Sequence, residues 1–300
     1  MNDSRNITVG QATTILISTI IGVGVLALPL FAVRGADSGA PLVTLLGTML
    51  AFVGMVFISL LGMRFPNQSI IQYSEDIIGR WLAWIGSALA IAFFAILAAL
   101  IAREFGEVVI TAVLKNTPLE VTVLVMLIMA AVSSRKNLTT FAYIHLFYAP
   151  IMVLPGIFIY GFALREVSVL NLQPVWWSDW TGIPGGVLTV AALFEGAFIF
   201  TLVIPAMRRR KQAMRAALLG AGISAFFYLV VVVMTVAFFG PEETRLILWP
   251  TYELAKSVHF PVIERLDAAF LIGWLIVVFA ALFSYYYLFV HAISELFRLR

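Results

Sequence analysis

Eight apolar runs occupy most of the chain, at 10–33, 40–63, 82–111, 118–133, 139–163, 185–206, 213–239 and 266–291. All but one exceed the roughly 20 residues that carry an α-helix across a bilayer. Backbone polar groups have no water to bond inside lipid, so runs of this kind fold as helices packed against one another. Composition agrees. Of 300 residues, 62% are hydrophobic and 12% charged, against about half and a quarter in soluble domains. A transmembrane barrel would show short alternating segments instead. The expected fold class is all-α, a polytopic helical membrane protein. The polar connections are short except at 64–81, 164–184 and 240–265, and none is long enough for a separate soluble domain. The opening MNDSRNITVGQ has no small-residue cleavage site after a short apolar core, so the first span reads as a retained helix.

Several chemistries find no footing. The chain has no cysteine, which excludes disulfides, thiolate metal sites and cysteine catalysis. No HExxH pair, Walker loop or GxSxG elbow occurs. Gly22-x-Gly24 lacks the third glycine and the preceding strand of a dinucleotide fingerprint. The expectation is a protein that is not an enzyme, with no catalytic residue, no metal and no cofactor.

The basic residues set an orientation. With the N-terminus inside, the cytoplasmic side collects Arg5, Arg64, Arg80, Arg135, Lys136, Arg208, Arg209, Arg210, Lys211, Arg215, Arg298 and Arg300, which is 12 of 19. The cluster RRRKQAMR, 208–215, then reads as a topology determinant that also meets anionic headgroups, with no nucleic-acid partner. The aromatic stretch VWWSDW, 175–180, reads as an interfacial anchor ahead of the sixth span or as an outer gate. Arg103, Glu104 and Glu107 read as a cluster that pairs locally at the outer end of the third span.

Two spans are poorly made for continuous helices. In TIIGVGVLALPL, 19–30, Gly22 and Gly24 fall near mid-span and Pro29 follows. In the sixth span Glu195-Gly196 lies near the midpoint and Pro205 toward the end. Glycine costs about 1 kcal/mol and proline about 3 against alanine in a helix interior. Small residues also allow close helix packing in lipid, which is the plainer reading of the glycines. Two matching interruptions five spans apart, however, suggest a five-helix repeat used twice in opposite orientation. Unwound backbone at the midplane then binds ligand: half-helix N-termini take a carboxylate and free carbonyls take a cation. The candidate ligand-binding residues are Gly22, Val23, Gly24, Val25, Phe194, Glu195, Gly196 and Ala197. A central carboxylate such as Glu195 must be protonated, paired or hydrated through a cavity, and marks a functional site. His145, in the fifth span, is a second candidate for a proton or water path, although a lone histidine more often packs between helices.

Four stretches carry a family likeness. ITVGQATTILISTIIGVGVLALP, 7–29, resembles the opening of the endospore germination permeases, the B subunits of nutrient germinant receptors. LNLQPVWW, 170–177, LFEGAFIFTLVIPAMRRRKQ, 193–212, and FPVIERLDAAFLIGW, 260–274, are similar to the same family. The resemblance implies the amino acid–polyamine–organocation (LeuT-like) fold. It divides the chain into a first five-helix repeat at 1–163, an outer interfacial segment at 164–184 and a partial second inverted repeat at 185–300. That fold has ten spans, so the last two of ten are expected to be missing from these eight. The resemblance also implies a nutrient sensor in the spore inner membrane, beside an A subunit and a lipoprotein C subunit.

A small amino-acid-like nutrient would sit between spans one and six, with spans three and eight as the other wall and Trp274 a contributor. Two alternatives stay open: a secondary amino-acid transporter coupled to a proton on Glu195, and a water or ion passage opened by the nutrient.

Overall fold

The computed structural model describes residues 6–174, 181–258 and 266–298, and the stretch 175–180 lies outside them. Twelve α-helices are present among these residues. They are α1 (Val9–Ile20), α2 (Leu28–Ala36), α3 (Ala40–Arg64), α4 (Ile70–Ile78), α5 (Arg80–Ala112) and α6 (Leu119–Ser133), then α7 (Leu138–Ala163), α8 (Ile183–Ala192), α9 (Phe200–Ala206), α10 (Ala213–Leu246), α11 (Pro250–Ser257) and α12 (Leu266–Leu296). Six stretches are long and apolar enough to cross a membrane: Leu28–Arg64, Arg80–Ala112, Leu138–Ala163, Ile183–Ala206, Arg210–Leu246 and Ala268–Leu296. α1 and α6 are shorter apolar helices. The protein is a polytopic helical membrane protein, and large apolar side chains such as Phe57, Leu89, Phe147 and Phe226 point outward.

Local chemistry starts these helices where expected. A capping box joins Thr8 and Gln11 at the start of α1, and Asn137 accepts from the Thr140 amide at the start of α7. Prolines occupy the first turn of α2, α3, α8 and α11, where no N–H is needed. Pro29 therefore begins a helix instead of weakening one. The connections 64–81 and 240–265 differ from the sequence reading in holding the short helices α4 and α11.

The seventh span also differs, since it continues beyond residue 239 through a kink to Leu246. At the kink Gly240 takes φ +80°, and Pro241 has no N–H to offer the Ala237 carbonyl. The Asn171 side chain and the Ser168 amide each donate to that carbonyl at 2.9 Å. The asparagine of LNLQP thus restores a bond that the proline removed.

The two halves of the chain interlock. α10 packs on α1, α2 and α3; α8 packs on α2 and α3; α12 packs on α5 and α7. The connections gather at two ends of the bundle. At one end Arg210 donates to Asn67 at 2.6 Å and Ser69 bonds Glu295. There the strand-like residue Ile7 pairs with Met207, through Ile7 N–H to Ala206 O at 3.2 Å and Arg208 N–H to Ile7 O at 3.0 Å. At the other end Arg245 pairs with Asp37, and Thr251 bonds the backbone of α2's approach.

Candidate functional site

Both suspected spans are broken where the glycines predicted. α1 stops at Ile20, Gly22 leaves the helical conformation, Val23–Val25 form a single 3-10 turn, and α2 resumes at Leu28. α8 stops at Ala192, Glu195–Ile199 form a 3-10 turn, and α9 begins at Phe200. The breaks touch. A Cβ on Gly196 would stand 2.6 Å from the Thr19 carbonyl oxygen and 3.0 Å from the Ile20 nitrogen, so only glycine lets these backbones meet. Gly22 packs on α12, where a Cβ would lie 3.0 Å from that of Ala281. The freed carbonyls find partners: the Tyr228 hydroxyl donates to Ile20 O at 2.6 Å, and the Thr251 hydroxyl to Val25 O at 2.8 Å.

A cavity of ≈ 190 Å³ lies beside the junction. Gly22, Val23, Gly24 and Glu195 line it, together with Thr19, Phe31, Tyr228 and Tyr285. Its aliphatic wall is Leu97, Leu100, Ile101 and Leu193, and Glu104 completes the polar lining. Tyr285 and Glu195 face the same cavity. Glu104 does not belong to a locally paired cluster as the sequence suggested. Arg103 pairs with Glu107 at 3.0 Å, one helical turn away, and leaves Glu104 facing the cavity.

The other candidates lie elsewhere. Val25 and Trp274 line a separate apolar cavity of ≈ 30 Å³, with the Trp274 ring stacked on Phe105 at 6.1 Å. Phe194 is buried edge-on against the Tyr228 ring at 5.3 Å. Gly196 and Ala197 are buried in the junction without lining the cavity. His145 is completely buried between α1, α7 and α12. Its Nδ1 lies 2.5 Å from Ser18 Oγ and its Nε2 3.3 Å from Ser284 Oγ. The ring stacks on Phe283 and packs on Phe141 at 4.3 Å. The Thr19 hydroxyl donates to Ser284 at 2.8 Å, which links this cluster to the cavity wall.

Sequence reasoning missed Tyr228, Tyr285 and Glu104. Tyr228 and Tyr285 sit among other aromatic and aliphatic residues of long spans, and nothing local separates a cavity hydroxyl from an ordinary packed ring. Glu104 carried a signal: on α5 it is one residue out of phase with the Arg103–Glu107 pair, so it faces a different side.

A bundle of membrane-crossing helices, two of them broken beside a shared cavity, has the architecture of a permease-like membrane protein. The spore germination protein family matches residues 6–300, and the chain belongs to that family, as a permease-like membrane subunit of the germination-receptor type. It is 27% identical to spore germination protein YndE of Bacillus subtilis over 98% of this chain and 82% of that protein. It is 23% identical to spore germination protein A2 of the same organism, over 96% and 80%. Spore germination protein B2 is 25% identical, over 90% and 74%.

Proposed function

We propose that this chain is the nutrient-sensing subunit of a spore germinant receptor, and that its ligand occupies the cavity between the two helix breaks. The observation that carries the reading is the coincidence of space, unwound backbone and a central carboxylate at one point of the bundle. A volume of ≈ 190 Å³ suits a molecule somewhat larger than benzene, which is the size of an amino acid. The ligand's carboxylate bonds backbone around Gly22–Gly24, and its amine bonds Glu195. Occupancy biases a two-state rearrangement of the broken helices, which the A and C subunits read as a signal. The N-terminus faces the cytoplasm, in the spore inner membrane, and the two breaks head two inverted five-helix repeats.

Spores carrying Glu195→Gln and Glu195→Leu test the reading. The Gln variant is expected to right-shift or lose the nutrient dose-response with abundance within about twofold of wild type, as for a substitution that preserves shape. The Leu variant is expected to respond worse. A wild-type dose-response at wild-type abundance in both variants removes Glu195 from the site.

The hydrogen-bonded series Thr19–Ser284–His145–Ser18, leading away from the cavity, favours a second reading as a proton-coupled transporter. Concentrative uptake of labelled amino acid into proteoliposomes would support transport. Binding without net uptake supports the receptor.

A further inference from the structure

Among the described residues, the cavity lining contains two carboxylates, Glu104 and Glu195, and no lysine, arginine or histidine. They stand apart along the cavity. Phe94 of α5 packs on Phe198 of the second break, with centroids 6.0 Å apart, so that level of α5 sits beside the turn carrying Glu195. Glu104 is ten residues further along the same helix than Phe94, and Glu195 lies three residues before Phe198 on the side toward Glu104, so the two carboxylates are separated by less than the roughly 15 Å that ten helical residues span. Between these levels the wall is aliphatic, formed by Leu97, Leu100 and Ile101 of α5 with Leu193 opposite.

We infer that this cavity takes a ligand with two ammonium groups joined by a short aliphatic chain, the chemistry shared by a basic amino acid and a linear diamine. One ammonium meets Glu195, the methylenes lie on the leucines, and the second ammonium meets Glu104. A ligand bearing a single ammonium leaves Glu104 without a partner, and burying an unpaired charge or unpaired polar group is unfavourable. Hard metal ions are a poorer fit, because they require several oxygen ligands and much of this lining is hydrocarbon. No cluster of three or more metal-ligating His, Asp or Glu side chains occurs among the described residues. Glu107, one turn from Arg103 and paired with it, takes no part in the cavity. This inference rests on the placement of the ligand proposed above and adds Glu104 as the residue that selects its charge.

Thermal melting of the purified full chain in detergent tests it with three compounds of matched length: lysine, 1,5-diaminopentane and norleucine. Lysine or 1,5-diaminopentane is expected to raise the melting temperature at concentrations where norleucine does not. A preference between lysine and 1,5-diaminopentane identifies which source of the shared chemistry the site uses. Glu104→Gln is expected to weaken the effective compound at least about tenfold, the size of a lost charge-assisted hydrogen bond, and to leave any norleucine response unchanged. Glu107→Gln is expected to behave as wild type. Equal stabilisation by norleucine, no stabilisation by any of the three, an unaltered Glu104→Gln, or an equal loss in Glu107→Gln would each overturn the inference. Should it fail while Glu195→Gln still shifts the spore dose-response, the cavity remains the nutrient site and only the ligand class is wrong. Should both Glu195 variants respond in spores as wild type does, the site itself is elsewhere.

Discussion

Glu195 and His145 are both ionisable side chains within the bundle, each near the end of α1, and their surroundings are opposite. Glu195 borders open space, which Tyr228 and Tyr285 share with it. His145 borders none: both ring nitrogens meet serines, and the ring packs against Phe141 and Phe283. One hydrogen-bond assignment fills the His145 cluster, with Nδ1–H donating to Ser18, Ser18 donating to the Thr14 carbonyl at 2.9 Å, and Ser284 donating to Nε2. A polar residue inside a membrane protein thus has two ways to be tolerated. One leaves it available for a ligand, and the other uses up its bonding capacity in holding helices together.

Substitutions can sharpen or break that contrast. The largest effect is expected at the junction between the two breaks. In Gly196→Val the new side chain meets the Thr19 backbone, not a side chain that can turn aside, so the spans cannot approach. Membrane fractions from cells expressing it should contain little folded protein. Wild-type abundance would show that the two breaks need not touch.

His145→Ala comes next. It removes a fully packed ring and takes one hydrogen-bond partner from each of two buried serines, so the melting temperature in detergent should fall by the equivalent of about 3 kcal/mol or more. Response per surviving molecule should stay near wild type. Loss of response at normal stability would place His145 with Glu195 on the functional side of the comparison.

Gly24→Ala should be the mildest. A Cβ there meets only the Cδ2 tip of Leu193, at 2.7 Å, and that side chain can rotate. Stability should change by less than about 1 kcal/mol, while a wall of the cavity moves and ligand affinity shifts slightly. A cost as large as that at Gly196 would mean the first break is as tightly packed as the second.

The elements of the fold could be read from the chain because lipid leaves few choices. Apolar runs at 40–63, 139–163 and 185–206 return as helices within a few residues of those limits. The breaks were readable because glycine at Gly22, Gly24 and Gly196 is a local property. The composition of the cavity was not. Tyr228, Tyr285 and Glu104 come from α10, α12 and α5, and only three-dimensional packing turns them toward one space. Trp274 and Val25 show the same limit in reverse, since they lie in the expected spans yet face a different, smaller void. Spacing along a helix gives the face on which a residue lies, but which neighbour that face meets depends on the whole bundle.

The pairing of Ile7 with Met207 has a mechanical consequence. α1 and the 3-10 turn leading to α9 are in contact where Gly196 meets Thr19, and the far ends of α1 and α9 are tied by two backbone hydrogen bonds. Two rods fastened at both ends move as one strut. Sliding or splaying of α1 against α9 must first break the Ile7 bonds, whereas α2 and α8, joined to them through single turns, are held by their packing on each other and on α3.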